Sequence, residues 1–486
     1  MKILLINPPR FNNTIPVIRE DRCEVTDRYA IIPPYSLLWL SAILRNMGHD
    51  VNMIDANGAG TTYADLLLKI QNNHPDVILF RFTPTTFDWD ITTAKIGKVN
   101  DRNVTIIAIC LTLRPFTHDV LERAPDIDIY IPTDWEDLVP EVLGTIEHHG
   151  DLSSVRGIGF REKNAIIVTD QGKNPSSDAR LKDYDSLPIP AFDLIENFRY
   201  YRPNLPVAGN FMVIYTSKGC PFPCIYCTVA RTPFRLKSAG KVIEELNILY
   251  TKYDVRLVSF FDETFTLDRD RTIQICNAIK ESLPGMRWYC NTRVNLVDRD
   301  LLLLMRESGC RGIAFGVESG SQTILDTIRK GITVQDAKVA IAEAKNAGLK
   351  VYASFIIGLP GENHETLKAT SKFIQETLPH SAQFNIAVPY PGTELYHQGI
   401  AEGSILETID WTELYQHRAV MSLKELSRDE LEKARLSMYR KLYFNPLWII
   451  QNTRWIAKHP EDFRLGITYS WKILINYFWY RMEHAH

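Results

Sequence analysis

Several things are scarce in this sequence, and each scarcity argues against a class of protein. An excess of charge of one sign is missing: 55 lysines and arginines stand against 58 aspartates and glutamates, a net of −3, so no basic field points to nucleic acid. Long apolar runs are missing too; none reaches the roughly 18 residues of a membrane span. The opening MKILLINPPR reads as a short strand stopped by prolines, without the apolar core of a signal peptide, and the expectation is a cytoplasmic protein. Cysteine is sparse, eight in 486 residues, with Cys23, Cys110, Cys276, Cys290 and Cys310 scattered singly. That pattern argues against a disulfide framework and suits a reducing compartment. No G-x-G-x-x-G follows an apolar strand, which argues against a nicotinamide cofactor.

The three remaining cysteines are concentrated. Thr216 to Thr228 reads TSKGCPFPCIYCT and holds Cys220, Cys224 and Cys227 at C-x3-C-x2-C spacing. Thiolates this close converge on one small inorganic centre. Iron–sulfur clusters are held by thiolates, usually four, so three local ligands leave one iron with an open position, the mark of a reactive rather than a structural site. Zinc is the competing occupant, but it wants four ligands, often as two pairs, and no second pair lies nearby. Pro221 and Pro223 fix φ and remove backbone donors, so the segment is a loop. Gly219 permits close backbone approach. The run Phe211 to Tyr215 before it reads as a buried strand.

The length suggests two or three domains. In residues 1–150, strand-like runs (Lys2–Asn7, Val51–Ile54, Val77–Phe82, Val104–Cys110, Ile127–Ile131) alternate with helical ones (Leu37–Met47, Tyr63–Ile70, Asp119–Arg123, Glu136–His148). That alternation predicts an α/β fold with a doubly wound, Rossmann-like parallel sheet. Ligands bind such sheets at the carboxyl ends of the strands, here Asn7, Pro8 and Pro9, then Asn57, Thr83 and Thr112. Residues 151–204 read as a connector: a small hairpin around Lys163-Asn164, a polar stretch from Asn174 to Arg180, and a proline-stiffened linker at Pro188 and Pro190. Residues 205–400 hold six strand–helix units whose strand ends carry functional side chains. Asp262 and Glu263 are adjacent carboxylates, suited to acid–base work or to an ammonium group. Arg293 offers a planar fork for a carboxylate, Glu318 a further carboxylate, and Ile357-Gly358 a backbone that a flat ring can approach. Tyr390 faces either substrate or core.

C-x3-C-x2-C with Tyr226 before the third cysteine resembles the signature of the radical S-adenosylmethionine superfamily. The later strand ends fit that pattern as well. The resemblance implies a partial (β/α)6 TIM-like barrel, a [4Fe–4S] cluster on Cys220, Cys224 and Cys227, and S-adenosylmethionine held near Tyr226, Asp262, Glu263, Arg293, Glu318, Ile357 and Gly358. It also implies a low-potential electron donor such as flavodoxin or ferredoxin. The N-terminal pattern, with NPP, PPYSLLWLSAILRNMGHDV and DIDIYIPTDWEDLVPEVL, is similar to the cobalamin-binding domain upstream of many such barrels. Its D-x-H-x-x-G motif is absent, His118 standing in THDV without the Asp or Gly, and the fourth strand end AICLTLRP is poor in glycine. The family it resembles includes the anaerobic Mg-protoporphyrin monomethyl ester oxidative cyclase, hopanoid-type enzymes and cobalamin-dependent methylases. The activity this implies is methylation of an unactivated carbon of a small, hydrophobic substrate through methylcobalamin. Radical cyclisation or rearrangement without methyl transfer is the alternative, and a non-catalytic cobalamin sensor a second.

Residues 401–486 predict helices. Ser427 and Glu430 form a capping box for one that runs to about Tyr443, Asn445-Pro446 breaks it, and Leu447–Ile456 and Leu465–Met482 follow. Their aromatic and basic load fits a lid packed on the barrel, or a peripheral membrane contact, where such residues gather.

Overall fold

The computed structural model describes residues 1–20, 30–163, 165–169, 183–203, 209–405 and 409–460. Cys23, the polar stretch 174–180 and the helix expected over Leu465–Met482 lie outside the described residues.

Among the described residues the chain builds two large sheets, parallel for the most part, and one short two-stranded sheet. The first comprises β1 (Lys2–Asn7), β2 (Asp50–Asp55), β3 (Val77–Arg81), β4 (Thr105–Ile109), β5 (Ile129–Ile131), β6 (Gly159–Glu162) and β7 (Ala165–Val168). Their order is β2-β1-β3-β4-β5-β6-β7, with the first five parallel. The centres of β1 (Ile3–Ile6) and β3 (Val77–Phe80) are apolar and buried, as in a parallel sheet covered on both faces. The connector hairpin, β6 and β7, adds antiparallel to β5, so it extends the N-terminal sheet and is not a separate strap over it. The sequence reading also missed helices at Phe87–Asp90 and Thr92–Asn100 between β3 and β4; Phe87 and Ala94 alone are buried apolar anchors there, too few to show a helical stripe.

The second sheet follows β8 (Asn210–Ile214), a short pair β9 (Ser217–Lys218) and β10 (Arg235–Leu236), then β11 (Val255–Phe260), β12 (Arg287–Thr292), β13 (Cys310–Glu318), β14 (Lys350–Ile357) and β15 (Ser381–Ile386). Six of these strands form an all-parallel half-barrel ordered β8-β11-β12-β13-β14-β15. Its last strand has a free edge, a liability in any sheet. The helix Arg428–Tyr443, opened by the Ser427–Glu430 capping box, covers it. The Tyr439 hydroxyl accepts from Phe384 N, the Tyr443 hydroxyl from Ala382 N, and Arg435 donates to the Phe384 carbonyl. The next helix, Pro446–Lys458, has no buried residue.

The two sheets share a core through the helix Tyr35–Asn46, whose first ten residues are all buried. The β9/β10 pair, the neck of the cysteine loop, is pinned to the N-terminal domain by charge. Lys218 donates to Glu136 at 2.6 and 2.8 Å, and Arg235 to Asp134 at 3.1 Å. Lys237, just past β10, donates to the Tyr35 hydroxyl and to Glu245, both at 2.7 Å, and lies 4.3 Å from the Trp39 ring centre. Lys237 and Glu245 side chains are 2% and 1% exposed, so removing one partner strands the other. Lys237→Met is expected to destabilise by about 3–5 kcal/mol, read as a lowered thermal midpoint. The double variant Lys237→Met/Glu245→Leu should recover most of that loss.

Candidate active site

The cysteine loop leaves β8 and returns through β10, and the protein braces it at several points. Asp262, fully buried beyond β11, accepts from Thr216 N at 2.6 Å, Ser217 N at 3.0 Å and the Thr216 hydroxyl. Arg271 donates to the Thr216 carbonyl at 2.9 Å and to that of Lys237 at 2.6 Å. Within the loop, Cys220 and Thr232 exchange bonds: Cys220 N donates to the Thr232 hydroxyl at 2.9 Å and Thr232 N to the Cys220 carbonyl at 3.0 Å. Ile225 N donates to the Ile328 carbonyl and accepts at its own carbonyl from Leu395 N. Gly219 holds φ +90, and a Cβ there would lie 2.1 Å from the Pro233 carbonyl oxygen. Only glycine fits this position.

Cys220, Cys224 and Cys227 are thus carried on one braced loop, near enough for charge on Cys224 to act on the other two thiols. Four thiolates on one zinc at 2.3 Å lie about 3.8 Å apart. The one trio of His, Cys, Asp or Glu side chains found within 4.8 Å of one another among the described residues is His118, Asp119 and Glu122, on the exposed surface; the three thiols stand wider than a single ion requires. Burial pushes the Cys220 thiol up and the Cys227 thiol up to about 12, and the Cys224 charge adds to both. Three adjacent thiolates become tenable with cationic iron between them. The donor set, its width and the glycine cradle fit a cluster.

Around the loop, Arg293 donates to the Lys330 carbonyl, points Nη1 at Cys224 Sγ over 3.7 Å, and lies 3.7 Å above the Phe222 ring centre. Asp262 and Arg293, expected to hold S-adenosylmethionine, both lie against the loop, Asp262 on its first residues and Arg293 on Phe222 and Cys224. Glu263 is half-buried, and its charge bears on Cys220. Glu318 ends β13 at φ +69 and pairs with Lys330 at 2.6 Å, and Lys330 also donates to the Tyr226 hydroxyl at 3.3 Å. Sequence reasoning missed Lys330: the pair Lys330-Gly331 reads as an ordinary helix end, and no local signal turns the side chain inward. Ile357, the last residue of β14, is buried, and Gly358 just past it holds φ +87. Glu362, also missed, accepts from Gly358 N, and burial pushes its carboxyl up to about 7. Tyr390, half-buried, packs against the second apolar cluster, and its hydroxyl accepts from Gln416.

The N-terminal strand ends also converge. Arg19 pairs with Asp90 at 2.7 Å, both side chains essentially inaccessible, and donates to Asn7 Oδ1 and the Pro8 and Pro9 carbonyls. Asp90 accepts from Thr83 N and the Thr86 hydroxyl. Asn7 donates to Asp55, which also accepts from the Tyr201 hydroxyl. Asn57 is 1% exposed, and its Nδ2 has no hydrogen-bond partner; a buried amide in that state is a group waiting for an acceptor. Thr112 is buried beyond β4. Hydroxyl and amide side chains of this kind fit the amide-fringed corrin of cobalamin, and His118, on the exposed surface, stands apart from them. The loop after β15 meets the loop after β4, where Gly392 sits against Pro115, so the two sets of strand ends adjoin.

Gly219→Ala is expected to abolish iron uptake while leaving the far-ultraviolet circular dichroism unchanged, because the clash is confined to the loop. Iron assay after anaerobic reconstitution measures it.

Residues 214–374 match the model of the Radical SAM superfamily. An uncharacterized methyltransferase of Pyrococcus horikoshii is 32% identical over 457 residues, covering 93% of this chain and 94% of that protein. The anaerobic magnesium-protoporphyrin IX monomethyl ester cyclase of Rubrivivax gelatinosus is 26% identical, covering 86% and 75%. Among solved structures, the radical S-adenosylmethionine methyltransferase TsrM of Kitasatospora setae, with cobalamin and a [4Fe–4S] cluster bound, superposes with a TM-score of 0.68 at 14% identity, covering 84% of this chain and 76% of that one; at that identity the likeness is one of fold. With the cysteine loop beyond the first strand of a parallel half-barrel and a near full-length relative at 32% identity, the chain belongs to the radical S-adenosylmethionine enzymes.

Proposed function

We propose that this enzyme methylates an unactivated carbon of a small, hydrophobic substrate, using a [4Fe–4S] cluster, S-adenosylmethionine and cobalamin. The observation that carries the proposal is the three-thiol loop, anchored by Asp262, bordered by Arg293 and ion-paired at its neck to Asp134 and Glu136 beyond β5 of the N-terminal sheet. When bound, the cluster supplies the electron that splits S-adenosylmethionine into methionine and a 5′-deoxyadenosyl radical, and cobalamin carries the methyl group. This chain's residues do the positioning. Cys220, Cys224 and Cys227 ligate iron. Asp262 and Arg271 hold the start of the loop, and Arg293 keeps a cation beside Cys224. Glu263, and Glu318 together with its partner Lys330, are assigned to the sulfonium nucleotide, and Ile357 and Gly358 to its ring. Asn7, Asn57, Thr83 and Thr112 suit the corrin amides, and the loop carrying Tyr390 adjoins them. A flavodoxin- or ferredoxin-type protein supplies the electron.

Ring closure without methyl transfer is the second reading, favoured by the cyclase relative. The two differ in products. Reconstituted protein with dithionite, S-adenosylmethionine, cobalamin and substrate extracts is expected to form 5′-deoxyadenosine together with S-adenosylhomocysteine. Deoxyadenosine alone turns the assignment to cyclisation, and neither product defeats both. Cys224→Ala should form neither.

We also propose a peripheral lipid contact at the C-terminal helix. Phe444, Leu447, Ile449 and Ile450 are exposed at 57, 62, 48 and 46%, close to the basic Lys441, Arg454 and Lys458, the arrangement that favours anionic surfaces. No helix among the described residues is long and apolar enough to cross a membrane. The protein should float with anionic vesicles, and Leu447→Ser/Ile450→Ser should reduce the floating fraction several-fold. Equal partitioning of both forms removes the contact.

A further inference from the structure

A buried ion pair stands beneath the cysteine loop. Lys330 Nζ and Glu318 Oε1 are 2.6 Å apart, with side chains 6% and 7% exposed. The barrel is shaped to hold them. Glu318 takes a left-handed backbone at φ +69, which costs a residue with a Cβ of order 1 kcal/mol. The pairing of β13 with β14 slips at Gly316/Glu318 to admit it. A Cβ on Gly316 would lie 2.6 Å from Glu318 Oε1 and 3.0 Å from Lys330 Nζ, so the strand is cut away beneath the pair. Burying two charges gives little stability by itself, because desolvation offsets the attraction. Strain, a bulge and a glycine therefore maintain a pair that folding alone does not need.

The pair is wired to the loop from both sides. Lys330 donates to the hydroxyl of Tyr226, which stands between Cys224 and Cys227. The Lys330 carbonyl accepts from Arg293, whose other nitrogen faces Cys224 Sγ. Two neighbouring backbone groups dock the loop on the same turn: Ile328 O accepts from Ile225 N, and Arg329 O lies 4.0 Å from Cys224 Sγ.

We propose that Lys330 is a positioning residue that, balanced by Glu318, sets the reduction potential of the cluster held by Cys220, Cys224 and Cys227. The inference rests on the iron–sulfur reading of the loop proposed above. Its physics is that of a charge added to a poorly screened site. Reduction places one more electron on the cluster; a cation nearby favours the reduced form and an anion the oxidised form. The two members of the pair must therefore act with opposite signs, which a merely structural brace would not do.

The test is a redox titration of the full-length, anaerobically reconstituted protein, followed by the electron paramagnetic resonance signal of the reduced cluster, without S-adenosylmethionine. Lys330→Met is expected to lower the midpoint, because Glu318 is left unbalanced. Glu318→Gln is expected to raise it. Lys330→Met/Glu318→Gln should return toward the wild-type value, and Lys330→Arg, which keeps the charge, should stay close to it. Single variants that shift in the same direction, or not at all, with iron content retained, overturn the proposal. If Lys330→Met does not load iron, Glu318→Gln against the double variant decides: a higher midpoint in the single variant supports the pair, and equal midpoints overturn it. A wild-type protein that takes up no cluster overturns the iron–sulfur reading and this inference together; a wild-type cluster with unmoved midpoints overturns this inference alone.

Discussion

The buried carboxylate of Asp262 fixes where the cysteine loop begins. Three donors from Thr216 and Ser217 converge on it, so the chain turns off the end of β8 at one angle. Without that anchor, three thiols carried by a proline-rich loop would have no common centre. The other braces refine the same constraint. Arg271 ties the two sides of the neck, Thr232 closes the loop on Cys220, and Gly219 lets the backbone pass the Pro233 carbonyl.

The neck also joins the domains. Lys218, Arg235 and Lys237 each leave the β9/β10 region for a partner on the N-terminal domain. The residues that aim the thiols thus also orient the barrel mouth toward the strand ends around Asn7, Asn57 and Thr83. A change in the docking of one domain is felt at the cysteines through two or three charge-assisted bonds. The C-terminal segment spans the same junction from the far side. Trp411 packs on Phe87 and Phe116 of the first domain, while Tyr439 and Tyr443 cover the open edge of β15.

The barrel interior shows why charged residues at strand ends are ambiguous. Asp262 and Arg293 look like ligand contacts, yet their polar atoms are satisfied within the protein, one on the backbone and one on a carbonyl, a ring and a thiol. A carboxylate or guanidinium at such a position has the same local pattern whether it meets a cofactor or holds the loop that does. The distinction depends on which partner atoms lie within reach, and those come from residues such as Thr216 and Lys330, tens of positions away.

Much of the architecture was legible in the residues alone, because it is local. An apolar run stopped by Pro8 and Pro9 marked β1 to the residue, and Ser427 with Glu430 marked a helix start that the structure bears out. The three-cysteine spacing identified the chemistry, since ligand number and closeness are properties of a short segment. What only tertiary structure decided is long-range pairing: that the connector hairpin joins the first sheet, that Asp262 serves Thr216, and that Lys330 turns inward to meet Glu318 and Tyr226. Spacing along the chain carries no record of these contacts. They exist because burial leaves each charge one acceptable partner, and that partner is chosen by the packing of strands whose order the fold sets.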